Sequence, residues 1–339
     1  MPGASRLLDE GIDFRAFPAR FPKWFKRSPE FRRAISRRMP ETDILHIHAL
    51  YLYTTIVSAL IAERCNVPYL IRPCGALDPY HARRKSLKKY VVGKLLHDHV
   101  LRHAAAFQFT TDAERSLAEP YIFARPTVVI PNGIDLAEFA SMPPRGQFGL
   151  RHPEKRDRLI ILSFGRINYK KGFELLIPAF AKLLQQNPQT ELVIAGPDDG
   201  YGRVVQSLIT IHGVSSNVTF LGLLTGPERL QILADADIFV LPSHAENFSN
   251  ALFEAMAAGL PVVISNNVMT ANVVEEARAG LIVPNHVDAI AEAVSRLLTS
   301  AALRRDMGDR GSALVRQRYS WDRAAEQLEL AYMSVLSRH

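Results

Sequence analysis

Cysteine is almost absent from this 339-residue chain: Cys65 and Cys74 are the only two. They make neither a disulfide framework nor a thiolate metal cluster, and so few thiols fit a reducing cytoplasm. Long apolar runs are also scarce. "ALYLYTTIVSALIA" holds 14 residues between His48 and Glu63. A bilayer needs about 20, so a buried helix is expected there. The uncharged run from Ala255 to Val274 is broken by Gly259, Pro261 and a pair of asparagines. The opening "MPGASRLLDEGIDF" carries acids and no apolar core, unlike a secretory signal. No G-x-G-x-x-G, G-x-x-x-x-G-K-[ST] or G-x-S-x-G is present, which argues against a nicotinamide dehydrogenase, a P-loop enzyme and a serine hydrolase.

What is present is a globular composition, 47% hydrophobic, long enough for two packed domains. The formal charge of +7 is uneven. Residues 1–110 hold 19 Lys and Arg against 9 Asp and Glu; the remainder holds 22 against 25. The basic clusters "FPKWFKRSPEFRRAISRR" and "HARRKSLKKY" would attract anionic lipid headgroups or phosphorylated substrates. The alternative is a solvated basic face. Nucleic acid is not expected, because no recognition motif accompanies the charge.

From about residue 40, short β-branched runs alternate with helical patterns. "DILHIHA", "PYLIRP", "AAFQFTT" and "PTVVIP" read as strands, with helices between them. After the Pro/Gly-rich, charged passage "MPPRGQFGLRHPEKRDR", read as a linker, the alternation restarts with "LIILSFG", "ELVIAG", "NVTFLG", "DIFVLPS", "PVVISN" and "GLIVP". The expected fold is therefore α/β, with two Rossmann-like parallel-sheet domains facing across a cleft. The expected boundaries are 1–145, 146–318 and a closing helix over 319–339. Ligands of such sheets lie beyond the carboxyl ends of the strands, so the loops there carry the candidates.

The stretch "SHAENFSNALFEAMAAGLPVV" sets Glu246 and Glu254 on either side of a helix start capped by Ser249 or Asn250. Its loop and first turn offer backbone N–H groups to an anion. Two acids beside an anion suggest hydroxyl targets, so ribose, diphosphate and hexose together make a consistent ligand. Alternatively, Glu254 only offsets the helix dipole and Glu246 is solvated. In "LSFGRINYKKGF", Gly165 lets the backbone turn, and Arg166 and Lys171 lie on one loop before a helix. Two cations there can neutralise a leaving diphosphate without a metal; a structural salt-bridge role is the alternative. His46 and His48 share one face of a strand. As a pair without a third ligand they are a weak metal signal, and satisfied polar groups are the alternative. Asp235 and Asp237 close a helix and open a strand, which suits dipole and turn roles better than a metal.

With these residues in place, the second half resembles the retaining glycosyltransferases of family 4, which have the GT-B fold. "VVIPNGIDLAEF", "LSFGRINYKKG", "FLGLLTGPERLQILADADIFVLPSHAENFSNALFEAMAAGLPVV" and "EEARAGLIVP" match that family in order and spacing. "PYLIRPCGALDPYHARRKSLKKY" is similar to a subgroup acting in bacterial surface-polysaccharide assembly. The resemblance implies transfer of a hexosyl unit from a nucleotide diphosphate sugar to a hydroxyl acceptor, a glycan or lipid-linked saccharide. Anomeric configuration would be retained, and neither cofactor nor metal would be required. Arg166 and Lys171 would hold the diphosphate, Glu254 the ribose and Glu246 the transferred sugar. Asn247, Phe248, Ser249 and Asn250 would line phosphate and sugar, with Gly165 in the donor loop. Catalysis would fall on Glu246 and, in the first domain, on His48.

Two departures from the family accompany this match. Its first strand, helix and glycine-containing loop should precede "LLDEGIDFRAFP", so the first domain is expected to lack them. Many members also carry a histidine in the stretch matching "LIRPCGAL"; Cys74 stands here, with Arg72 nearby. A catalytically impaired nucleotide-sugar binder and a GT-B epimerase are the alternative functions. A cytoplasmic setting is expected, peripheral on the inner face of an anionic membrane.

Overall fold

The computed structural model describes residues 11–21, 26–77 and 97–339. It divides into two compact units, Met1–Val129 with Glu329–His339, and Ile130–Leu328.

In the first unit, helix α1 (Pro29–Arg38) precedes strand β1 (Leu45–His48) and α2 (Tyr53–Arg64). β2 (Tyr69–Arg72), a helical segment over 97–103, β3 (Ala106–Phe109), α3 (Asp112–Ala118) and β4 (Thr127–Val129) follow. All three strand pairings are parallel, in the order β1-β2-β3-β4. The run read as a buried helix is α2, which hides Ile56, Ala59, Ile61 and Ala62. The hydroxyl of its buried Thr55 donates to the Ala49 carbonyl at 3.1 Å, which ties the helix start to the end of β1.

The second unit runs α4 (Gln147–Arg151), β5 (Leu159–Phe164), α5 (Phe173–Leu184), β6 (Thr190–Ala195), α6 (Gly202–Ile211) and β7 (Val218–Gly222). It continues with α7 (Gly226–Asp235), β8 (Ile238–Leu241), α8 (Asn250–Ala257), β9 (Val262–Ser265), α9 (Ala271–Ala277) and β10 (Gly280–Val283). Three helices close it: α10 (Val287–Leu298), α11 (Ala301–Arg318) and α12 (Trp321–Leu336), whose last turns belong to the first unit. The six strands are parallel, in the order β10-β9-β8-β5-β6-β7. Strand side chains alternate, so Ile238 and Val240 enter one apolar layer while Phe239 and Leu241 enter the other. Helices cover both faces, which is why β8 and β9 are buried at every position.

The ten expected strands are all present, and the two parallel-sheet domains are those of the expected fold class. "MPPRGQFGLRHPEKRDR", read as a linker, packs within the second compact unit, which begins at Ile130. Asp235 accepts from the backbone N–H groups of Gly146 and Phe148, and Asp237 accepts from Ile160 N–H while pairing with Arg145. Those turn roles for the two aspartates were expected. Lys155 and Arg158 reach the fully buried Glu191 at 2.6 and 2.8 Å. Two charges of this stretch are therefore partners of one buried acid. Helices α1, α4, α9 and α11 were not expected from the sequence.

Candidate functional site

The carboxyl ends of β5 and β8, adjacent strands of the second sheet, carry the main constellation. After β5 the chain turns at Gly165, whose φ is +143°, into the loop holding Arg166 and Lys171. A Cβ on Gly165 would stand 3.6 Å from the Lys171 ammonium, so that cation lies directly over the turn. Gly172 ends the loop in the left-handed region, φ +70°, against the end of β8. A Cβ there would meet the Pro242 carbonyl oxygen at 2.0 Å.

After β8 the loop from Ser243 is fastened to the first loop by the His244 N–H, which donates to the Lys170 carbonyl at 2.7 Å. An amide nitrogen can only donate, so Asn285, 3.1 Å from His244 Nδ1, makes Nδ1 an acceptor. Nε2 then carries the proton and donates to Glu174, the second residue of α5. Glu246 pairs with Lys171 at 2.5 Å, and both side chains are mostly buried. The Glu246 carbonyl also accepts from Met269 N–H at 2.8 Å.

Ser249 is the cap of α8: its hydroxyl accepts from Leu252 N–H at 3.3 Å. Asn250 is the first helical residue, and its side-chain oxygen accepts from Asn132 at 2.9 Å. The Phe248 ring stacks on Phe253, with centroids 4.4 Å apart, and Tyr319 packs against Phe253 at 4.5 Å. Both phenylalanines thus anchor the helix start to the core. Glu254 sits one turn into α8. Its Oε1 lies 2.7 Å from the Arg229 guanidinium, which also pairs with Glu138. Its Oε2 is buried and has no hydrogen-bond partner among the described residues. Burial raises the Glu254 pKa, with Arg229 opposing the rise.

Arg166 and Lys171 take separate partners. Arg166 is exposed and pairs with Asp199 at 2.8 Å, on the loop after β6. The structure therefore brings Lys171, Glu246 and Gly165 together and places Arg166 on the Asp199 side of the loop. Sequence reading missed Glu138, Glu174, Asp199, Arg229, His244, Asn285 and Asn132. The signal for Glu174 and His244 was their place within two positions of a strand-exit loop; Arg229 and Glu138 gave none.

In the first unit, His48 ends β1 beside Arg72 of β2. His46 and His48 share a face, with ring centroids 4.4 Å apart, and His46 Nδ1 lies 2.7 Å from the Tyr332 hydroxyl of α12. Desolvation, then His48 and Arg72, depress the His46 pKa to about 4. Desolvation and Arg72 lower His48 as well. Cys74 is exposed, its thiol 3.5 Å from the Arg72 carbonyl.

Residues 150–313 match the family described as Glycosyl transferases group 1, and residues 2–133 match the Glycosyl transferase 4-like domain. An uncharacterized glycosyltransferase of Methanocaldococcus jannaschii is 30% identical over 308 residues, covering 86% of this chain and 75% of that protein. The chain belongs to the group 1 glycosyltransferases. A D-inositol 3-phosphate glycosyltransferase of Actinosynnema mirum is also 30% identical to this group 1 glycosyltransferase, over 88% of this chain and 74% of that one. Among solved structures, the Anabaena protein HepE in complex with UDP and glucose superposes with a TM-score of 0.81. It is 20% identical and covers 97% of this chain and 88% of its own. That likeness establishes the GT-B type of fold. No helix among the described residues of this glycosyltransferase is long and apolar enough to cross a membrane.

Proposed function

We propose that this glycosyltransferase binds a nucleotide diphosphate sugar in its second unit and passes the hexosyl group to a hydroxyl acceptor, with retention at the anomeric carbon. The observation that carries the reading is Glu254. Arg229 fixes one of its oxygens, and the other is a buried acceptor left for a donor. A ribose diol supplies such donors, and a buried carboxylate oxygen gains most from them. The HepE structure holding UDP and glucose gives the donor class a precedent on this fold.

Lys171 and Arg166 would neutralise the diphosphate as it leaves, Lys171 exchanging part of its contact with Glu246 for phosphate oxygens. N–H groups from Asn247 to Asn250 at the start of α8 would face the phosphates. Glu246 would accept from hydroxyls of the transferred sugar. The anomeric carbon–phosphate oxygen bond breaks, the acceptor oxygen bonds to that carbon on the same face, and its proton passes to the departing phosphate. His48, kept neutral by its surroundings, would serve on the acceptor side. No bound metal is needed for this sequence of events.

The test is release of nucleoside diphosphate from a panel of sugar nucleotides, read together with calorimetric affinity. Binding that Glu254→Ala weakens supports the reading; no affinity for any sugar nucleotide overturns it. Binding without turnover in the presence of glycan and lipid-linked acceptors would instead favour a nucleotide-sugar-binding role. The basic first unit suits an anionic membrane surface and a lipid-linked or polysaccharide acceptor. Lys85, Lys88 and Lys89, the residues expected to meet lipid, lie outside the described residues. Flotation with anionic vesicles, lost when these three lysines are neutralised, supports that setting. Indifference to lipid charge removes it.

A further inference from the structure

At the amino edge of the first sheet, opposite the ends of β1 and β2 where His48 and Arg72 lie, three side chains converge. Glu63 is the penultimate residue of α2, while His99 and His103 stand one helical turn apart in the segment leading to β3. One ligand atom from each lies within 4.8 Å of the others. His99 Nε2 is 2.8 Å from Glu63 Oε2, and the two imidazoles face each other with centroids 4.1 Å apart.

Two features around these groups are those of a metal's outer shell. His103 Nδ1 lies 2.8 Å from the His99 carbonyl, which can only accept. Nδ1 therefore carries the ring proton, and the Nε2 lone pair is left for a ligand bond. The other oxygen of Glu63 is 2.9 Å from the hydroxyl of Tyr69, a side chain 2% exposed, and that hydroxyl is also 2.9 Å from the Val100 carbonyl. The carboxylate is thus oriented from behind by a buried group.

We propose that Glu63, His99 and His103 form a binding site for a zinc-class divalent cation, with water as fourth ligand. Two imidazole nitrogens and one carboxylate oxygen suit zinc, not calcium or magnesium, which prefer all-oxygen sets. On binding, the His99 ring proton moves from Nε2 to Nδ1, which frees the Nε2 lone pair for the ion beside Glu63 Oε2. Tetrahedral ligands about 2.0–2.1 Å from the metal sit roughly 3.3 Å apart. The three ligand atoms, now within 4.8 Å of one another, must draw together by about 1.5 Å at most, and His103 is the exposed member of the set. Because α2 and the 97–103 segment feed the paired strands β2 and β3, the ion acts as a staple between them, away from the sheet edge proposed for catalysis.

The test uses the chelator-treated full chain, titrated with Zn2+ by calorimetry and with Co2+ by visible absorption. One-to-one binding, the spectrum of four-coordinate cobalt and a Zn2+-dependent rise in melting temperature are expected. His103→Ala, at an exposed position that leaves folding intact, should weaken binding beyond the roughly 10–100-fold that loss of an outer-shell partner costs. It should also abolish the rise in melting temperature. Tyr69→Phe should fall within that 10–100-fold range. No one-site binding, or an affinity that His103→Ala and Glu63→Gln leave unchanged, overturns the assignment.

Discussion

Lys171 and Glu246, 75 residues apart in sequence, meet as an ion pair 2.5 Å long with 14% and 20% of their side chains exposed. The pair joins the exit loops of β5 and β8. It makes the proposed diphosphate cation and the proposed sugar-binding acid one electrostatic unit.

Removing Lys171 leaves Glu246 without that partner in a mostly buried site. Lys171→Ala should cost about 1–3 kcal/mol of stability as well as roughly a hundredfold in turnover. Arg166 behaves differently, because its pair with Asp199 is 68% and 49% exposed. Arg166→Ala should change stability by less than about 1 kcal/mol while lowering turnover by a similar roughly hundredfold factor. Urea melts and steady-state rates on both variants check this. Wild-type turnover in both would remove the diphosphate assignment.

Glu254→Ala should weaken donor binding by about 1–3 kcal/mol, the size of a lost charged hydrogen bond. Arg229→Ala should strip Glu254 and Glu138 of their shared cation and destabilise the second unit by about 3 kcal/mol or more. Arg229 is mostly buried and lies over the Phe139 ring, so packing is lost with the charge. Calorimetry on the first variant and denaturant melts on the second separate ligand binding from scaffold.

Gly172→Ala places a methyl carbon where the Pro242 carbonyl oxygen stands and demands a left-handed backbone of alanine. The expected loss is about 2 kcal/mol or more, with reduced donor affinity because Lys171 is the adjacent residue. Unaltered melting would mean that the two loops are not in close contact.

His46 titrates at about 4 in the folded protein, against an ordinary value of 6.5. Between those values the unfolded chain binds more protons. Stability contributed by the neutral ring is therefore present above pH 6.5 and lost as pH falls toward 4. Moving from pH 7 to pH 5 should cost the wild type about 2 kcal/mol more than His46→Gln. Parallel melts at the two pH values measure it, and equal losses in both proteins would sink the account.

The strands were legible because each is a short β-branched run, and alternation inside it dictates two buried faces whatever its neighbours are. The turn at Gly165, a helix start at Ser249 or Asn250 and the spacing of Glu246 and Glu254 were legible for the same reason: backbone geometry and short-range spacing are written locally. The partners were not. Nothing in "GPERLQILADA" says that Arg229 meets Glu254 and Glu138, and nothing in "RHPEKRDR" says that Lys155 and Arg158 neutralise a fully buried Glu191. Charge pairs are formed by side chains brought together from distant segments, so a sequence records the charges but not their distances. The sequence by itself determined the ten strands and their parallel order of alternation with helices, although helices α1, α4, α9 and α11 escaped it. Tertiary packing decided that Lys171 answers to Glu246 and Arg166 to Asp199, because only the folded sheet sets the exits of β5, β6 and β8 side by side.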